Sequence, residues 1–325
     1  MLQKQKRLPR FSRQPEAAAN TQITEITLAI IDTIKRYRLI STSVLKPLIE
    51  RNPRVIYRHL RQLFDRAVIN RFPLPTPQGL AGEFAYYLDS PKALELLATF
   101  QGTKFEPTEY QAVARNRERW KDNRRLFADH ELMISRFRAL LELAARSSNG
   151  KYELVDFQQG ARLYRTVLVP SLEEQDRLTE MPLRPDAFFA LRDTETQNTL
   201  HYFYEADRAT ENTGRIMDKM RAYYQLIVRH KKIRDALGAE RVRAVLFETT
   251  STHWADVLRG VATRPEVSNR PSQLFWFTSS EFFTRPIQIG QGSPVPAFHA
   301  FPSMLFDNRF VCAADDILHS LTESL

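Results

Sequence analysis

Residues 184–211 constrain the fold more than any other stretch of this chain. They read Arg184-Pro185-Asp186-Ala187-Phe188-Phe189-Ala190-Leu191, then a polar turn, then Tyr202-Phe203-Tyr204-Glu205-Ala206-Asp207-Arg208-Ala209-Thr210-Glu211. Two apolar, aromatic-rich runs about a turn predict adjacent strands of a buried hairpin. Asp186 opens the first strand, and Glu205 and Asp207 lie near the end of the second. Residues two apart on a strand point to the same face, so three carboxylates are expected to converge in a small volume. Like charges that close raise one another's pKa unless a cation or an arginine joins them. The alternative is that Glu205 pairs with Arg208 or another arginine at a strand end and does no chemistry.

At 325 residues the chain predicts two domains with a helical connector. Its formal net charge of +9 favours polyanionic partners. Cys312 is the single cysteine, which excludes an intramolecular disulfide and fits a reducing cytoplasm. No apolar run approaches the roughly 18 residues of a membrane span. Residues 1–15 carry Lys4, Lys6, Arg7, Arg10 and Arg13, with no acid and no apolar block of a signal peptide. A basic, disordered arm over residues 1–20 that touches phosphates is one expectation, and a merely solvated tail is the other.

Residues 21–100 carry a recognisable pattern. Ile23, Ile26, Leu28, Ile30, Ile31 and Ile34 predict an amphipathic helix. Ser41 caps a short second helix, and Asn52 caps a third with Pro53 at its first position, where a missing N–H is harmless. The third helix has Ile56, Leu60, Leu63 and Phe64 on one stripe and Arg54, Tyr57, Arg58 and Arg61 on the other. Strands follow at residues 68–72 and 83–88, about a loop containing Pro73, Pro75, Pro77, Gly79 and Gly82. This order resembles the winged helix-turn-helix superfamily, in which the third helix enters the major groove and the wing meets the backbone. Between Arg51 and Arg71 stand six arginines and one acid, Asp65. Arginine suits bidentate contact with phosphate or guanine. The resemblance implies a DNA surface of Arg54, Tyr57, Arg58, Arg61 and Arg71. The alternatives are a solvated charged face or a surface for protein pairing.

Residues 101–128 read as a helical linker. Its basic residues interleave with Trp120 and could follow a nucleic-acid backbone or lie on an exposed helix. Residues 129–325 form the second domain. A long helix is expected from Asp129, with strands at 152–157, 183–191, 200–207, 243–247 and 273–278 and helices at 214–229 and 252–263. The order αβββαβ followed by αβ describes the core of restriction-endonuclease-like folds. The predicted class is thus mixed α+β and α/β: an N-terminal winged helix-turn-helix plus that domain. Residues 290–325 read as Pro-rich and then helical.

Pro185-Asp186 followed, after 18 intervening residues, by Glu205-Ala206-Asp207 resembles the PD-(D/E)xK nuclease signature. The resemblance implies that Asp186 and Glu205, joined here by Asp207, hold Mg²⁺ or Mn²⁺; carboxylate oxygens suit such hard cations. It also calls for a lysine two residues after the glutamate. Asp207 stands there and cannot supply a positive charge. Lys219, in the following helix, is the candidate substitute. The winged helix, the linker, Asp129-His130-Glu131-Leu132, Arg184-Pro185-Asp186 and Glu205 to Glu211 together resemble the replication-relaxation family over residues 24–280. That resemblance implies a place on plasmids and integrative elements, in replication, DNA relaxation and mobilisation.

Other chemistry is weaker. His130, His201, His253 and His299 lack zinc-ligand spacing, and no Gly-rich phosphate loop occurs. Tyr202 and Tyr204 are either relaxase-like nucleophiles or core residues, and Glu248 is a further polar group near the acidic site. The expectation is a DNA-binding accessory or regulatory protein whose nuclease-like domain does not cut. The alternatives are a Mg²⁺-dependent nuclease using Asp186, Glu205, Asp207 and Lys219, and a winged-helix transcriptional regulator. Expected partners are double-stranded DNA, other DNA-processing proteins of a mobile element and a second copy of the chain as a homodimer, with no membrane. The expected location is the bacterial cytoplasm, on nucleoid or plasmid.

Overall fold

Three capped helices and a small sheet build the core of the first of two compact units, Met1–Ser135; the second unit is Arg136–Leu325. The computed structural model describes residues 12–18, 22–75, 83–121, 125–174, 177–229, 237–239, 241–268, 270–291, 294–315 and 317–323. The protein is mixed α+β. Most of the basic arm and the tip of the 75–82 loop, with Pro77, Gly79 and Gly82, lie outside the described residues.

In the first unit a short α1 (Pro15–Ala18) precedes α2 (Glu25–Tyr37), β1 (Ile40–Ser41), α3 (Thr42–Ile49) and α4 (Pro53–Asp65). β2 (Ile69–Leu74), β3 (Glu83–Leu88), α5 (Lys92–Gln101) and α6 (Pro107–Lys121) follow, and α7 (Arg125–Ser147) has residues in both units. The caps are side-chain oxygens meeting otherwise orphaned amides. Thr24 accepts from Thr27 N at 3.3 Å, Ser41 from Val44 N at 3.3 Å and Asn52 from Arg54 N at 2.9 Å. Ile30, Ile31 and Ile34 of α2, Leu45 of α3 and Ile56, Leu60 and Leu63 of α4 are buried. The sheet order is β1-β3-β2, antiparallel throughout, with Ile69 opposite Leu88 and Leu74 opposite Glu83. Trp120, expected on an exposed linker helix or along a nucleic-acid backbone, is instead buried with Leu39, Phe72, Ala85, Tyr87 and Ala128. Its indole donates to Asn116 Oδ1 at 2.7 Å. A large apolar ring with one satisfied polar edge gains more from burial than from display.

The second unit centres on a seven-stranded sheet. Its strands are β4 (Tyr152–Gln158), β7 (Ala187–Asp193), β8 (Thr199–Ala206), β9 (Val242–Thr249), β10 (Phe275–Ser279), β13 (Phe310–Cys312) and β14 (Leu318–His319). They lie in that spatial order, with β8–β9 and β9–β10 parallel and the rest antiparallel. The parallel pairs need crossovers, supplied by α8 (Thr213–Tyr224) and α9 (Thr252–Ala262). β10 is buried at every position and β9 over its last six, as suits strands covered on both faces. One face packs Phe188, Phe203, Val245 and Phe247 against Ile216, Met220 and Tyr223 of α8 and Leu258 and Val261 of α9. On α7, Phe137 stacks on Tyr204 with ring centroids 3.9 Å apart and meets Phe189 edge-on at 5.7 Å.

Three elements depart from expectation. The run expected as one strand over 183–191 is divided at Arg184-Pro185, where proline has no N–H to donate to a ladder. Leu183 instead ends β6 (Leu178–Leu183), which pairs with β5 (Arg165–Pro170) in a separate hairpin. Residues 290–325 are not chiefly helical. They follow α10 (Glu281–Thr284) and β11 (Pro286–Ile287) with β12 (Val295–Pro296) and α11 (Ala297–Ala300), then extend the large sheet through β13 and β14. Phe310 and Cys312 are fully buried there, so the strand is held by packing rather than by propensity.

Candidate functional site

Two surfaces carry the candidate chemistry, one in each unit. In the first, burial of Ile56, Leu60 and Leu63 turns the opposite side of α4 to solvent. Arg51, Arg54, Tyr57 and Arg58 are exposed, and Arg54 and Arg58 have no acidic partner among the described residues. Lys46 lies 5.3 Å over the Tyr57 ring and adds charge to this face. His59, next to Arg58, points inward: its Nδ1 meets Thr27 Oγ1 at 3.1 Å, and burial followed by the Arg58 charge lowers its pKa.

Arg61 and Arg71, grouped with that face from the sequence, already have partners within the unit. Arg61 Nε donates to Asp65 at 2.8 Å and its terminal nitrogen to Ser12 O at 2.8 Å. Arg71 lies between the rings of Phe64 and Phe84, 4.6 and 4.7 Å from their centroids. Arg13, the last basic residue of the arm, pairs with Asp89 at 2.6 Å and also sits over Phe64. Lys4, Lys6, Arg7 and Arg10 lie outside the described residues.

The acidic centre of the second unit forms where the hairpin β7–β8 ends and α8 begins. Asp186 lies in the turn after the Pro185 break, and its Oδ2 accepts from Ala206 N at 2.9 Å. Glu205, on the penultimate position of β8, is only 1 % exposed. Lys219 Nζ donates to Glu205 Oε2 at 3.0 Å, and Tyr223 Oη donates to Oε1 at 2.5 Å. Lys219 and Tyr223 are four apart on α8, hence on one helix face. Asn212 caps that helix by accepting from Arg215 N at 2.9 Å.

The electrostatics follow from depth. Burial pushes the Glu205 carboxyl up, Lys219 draws it down and Asp186 raises it again, leaving it at about 7. Burial works against the Lys219 ammonium, but Glu205, Asp186 and Glu211 together outweigh it and its pKa is raised. The Tyr223 hydroxyl, buried beside these carboxylates, is held well above its ordinary value. The centre therefore sets a charged lysine against a buried carboxyl that keeps its proton to higher pH than an exposed one.

Asp186, Glu205 and Lys219 are thus brought together, and Asp207 is turned elsewhere. β8 stops at Ala206, so the two-residue alternation no longer governs Asp207. Its Oδ2 accepts from the Trp254 indole at 2.5 Å and its Oδ1 from Ala209 N at 3.0 Å. Burial raises its pKa, with the Trp254 N–H opposing. Asp186, Glu205 and Asp207 do not bring three carboxylate oxygens within 4.8 Å of one another. The donor set that fits a hard dication is Asp186 with Glu205, whose oxygens are satisfied here by Lys219, Tyr223 and the Ala206 amide. Glu248 belongs to a separate buried group, taking the Arg136 guanidinium and, at 2.8 Å, the Tyr204 hydroxyl. Tyr202 donates to Leu321 O at 2.8 Å, so both tyrosines are core residues with satisfied hydroxyls. Tyr223 and Trp254 were not foreseen as partners of the acids; the only signal for Tyr223 is its spacing from Lys219.

No curated protein and no solved structure matches the chain. A family model described as replication-relaxation matches residues 31–239, more than half of the chain. The chain belongs to the replication-relaxation family, which points to a role in processing plasmid or integrative-element DNA.

Proposed function

We propose that the protein is a DNA-binding accessory factor of such an element, gripping duplex DNA through its first unit. The three helices and the β2–β3 ribbon follow the winged helix-turn-helix order, with α4 as the recognition helix. The observation that carries the proposal is the exposed pair Arg54 and Arg58, one turn apart and without acidic partners among the described residues. Unpaired guanidiniums on a capped helix suit phosphate and guanine edges. Fluorescence anisotropy with a labelled mixed-sequence duplex tests this. An Arg54→Ala/Arg58→Ala variant should bind more weakly and lower the slope of log K against log salt by about 2, one per lost phosphate contact. Unchanged affinity and slope would overturn the assignment.

The second unit has the αβββαβ order of restriction-endonuclease-like domains, with the inserted hairpin β5–β6. We read it as non-cutting in this form, because both Glu205 oxygens are satisfied by protein donors and Asp207 occupies the lysine position. One observation favours a second reading, phosphodiester cleavage: Lys219 restores, from α8, the positive charge that Asp207 cannot supply. A divalent ion held by Asp186 and Glu205 would supply Lewis acidity at the scissile phosphate. Lys219 would then orient the attacking water. Incubation with supercoiled plasmid, with and without Mg²⁺ or Mn²⁺, separates the two. Nicking by the wild type that is lost in both Glu205→Gln and Lys219→Met establishes cutting; no nicking in either metal overturns the cleavage reading.

A further inference from the structure

Far along the sheet from the acidic centre, the chain's single cysteine meets a histidine and two acids. Cys312 ends β13 and is fully buried, His319 ends the neighbouring β14, and Asp315 lies in the turn between them. The Cys312 sulfur, an Asp315 carboxylate oxygen and a His319 ring nitrogen all lie within 4.8 Å of one another. His319 Nε2 is 3.1 Å from Asp315 Oδ1. Its other nitrogen, Nδ1, is 2.5 Å from Glu323 Oε1, and Arg243 donates to that same oxygen at 2.8 Å. The imidazole stacks on Trp276 at 4.8 Å, and Arg243 covers the same indole at 4.6 Å. The ring is therefore fixed in plane by packing and in rotation by Glu323.

We propose that Cys312, Asp315 and His319 bind a zinc ion that ties the β13–β14 edge of the sheet. Three features point to zinc rather than to a hard cation. Thiolate, imidazole and carboxylate are its habitual donors, whereas Mg²⁺ and Ca²⁺ take oxygen alone. Ligands on a tetrahedral zinc stand roughly 3.3–3.6 Å apart, close to the observed 3.1 Å between Asp315 and His319, and all three donors lie within 4.8 Å of one another. The carboxylate on the far nitrogen of the histidine is the usual outer partner of a zinc-bound imidazole, setting its tautomer and aim. Cys312 Sγ points towards Ser272 O at 3.9 Å and accepts from Ala314 N at 3.4 Å. Zinc takes the place of the thiol proton, which leaves to solvent, and the thiolate keeps the Ala314 amide. The fourth position falls to water. With the ligands on adjoining strands and a turn, the ion acts as a structural staple.

The full chain, stripped with chelator and dialysed, is titrated with Zn²⁺ and separately with Co²⁺. Cys312 is the only cysteine, so any Co²⁺–thiolate charge-transfer absorption reports this site alone. The expected result is uptake of one ion per chain and that absorption. Cys312→Ser and His319→Gln should abolish the band, and Glu323→Gln should weaken zinc binding 10–100-fold. Glu205→Gln should leave it unchanged, which keeps this site distinct from the acidic centre. Should either ligand variant fail to fold, the Co²⁺ band of the wild type decides alone. A folded wild type showing no band would overturn the proposal and leave His319 hydrogen-bonded between Asp315 and Glu323. A band that survives Cys312→Ser would overturn it equally.

Discussion

Replacing Glu205 with Gln sets two opposing effects at the acidic centre against each other. The wild-type carboxyl is raised from 4.5 to about 7, chiefly by burial. The folded state therefore holds this proton more tightly than the unfolded chain. Its contribution to stability is greatest at low pH and is lost as pH rises from the ordinary carboxylate value through 7. A shift of that size corresponds to about 3 kcal/mol once ionisation is complete, most of it falling between pH 5 and pH 8. Gln keeps the volume and can still accept from Tyr223 but does not ionise. Glu205→Gln should thus gain about 2–3 kcal/mol relative to wild type on going from pH 5 to pH 8, roughly 4–12 °C in Tm for a unit of this size. Thermal unfolding followed by tryptophan fluorescence reads it, since Trp254 and Trp276 lie in the second unit and Trp120 in the first. A variant that instead loses ground at pH 8 would show that the Lys219 ion pair outweighs desolvation, and would refute the reasoning.

Two further outcomes follow from the contacts. Tyr223→Phe removes the donor to a buried carboxylate oxygen and should destabilise the second unit by about 1–3 kcal/mol, more at pH 8 than at pH 5 because the ionised acid is left short of a partner; denaturant melts at the two pH values check it. Arg61→Ala should lower the stability of the first unit by about 0.5–1 kcal/mol while leaving duplex affinity within twofold of wild type, because Arg61 is held by Asp65 and Ser12; anisotropy beside Arg58→Ala, expected to cost about 1–3 kcal/mol if it reads a base, separates the two.

Caps and periodicity made the first unit legible: Ser41 and Asn52 are local signals whose consequences stay within a turn. The hairpin carrying Asp186 and Glu205 was legible for the same reason, since two apolar runs about a short turn have one obvious pairing. Lys219 could be named as a candidate, but only the docking of α8 puts it on Glu205. Asp207 was misplaced because the alternation argument holds only while the strand lasts, and β8 ends one residue earlier. Arg71 was grouped with the DNA surface from its sequence position alone, which does not show the Phe64 and Phe84 rings on either side of it. The β5–β6 hairpin went unforeseen, and so did the short strands β13 and β14, which at three and two residues carry no period and join the large sheet through the distant β10. The same blindness hid His319, whose partners assemble only when β14 meets β13.

The connectivity of the large sheet also orders events in time. β7 and β8 are joined by the residues 194–198 alone, so the pairing that holds Asp186 near Glu205 closes a small loop at little entropic expense. β9 joins β8 only after the whole of α8 and the segment behind it has been threaded across, a far more distant contact of the kind that slows folding. The two acids therefore meet early, in water, where a second negative charge is tolerated. Glu205 loses its solvent late, when α8 closes over it with Lys219 and Tyr223. The acid's ionisation should consequently be felt little on the refolding limb of a chevron and mainly on the unfolding limb, with the chain opening faster at pH 8 than at pH 5. A pH effect confined to the refolding limb would place α8 in the nucleus instead.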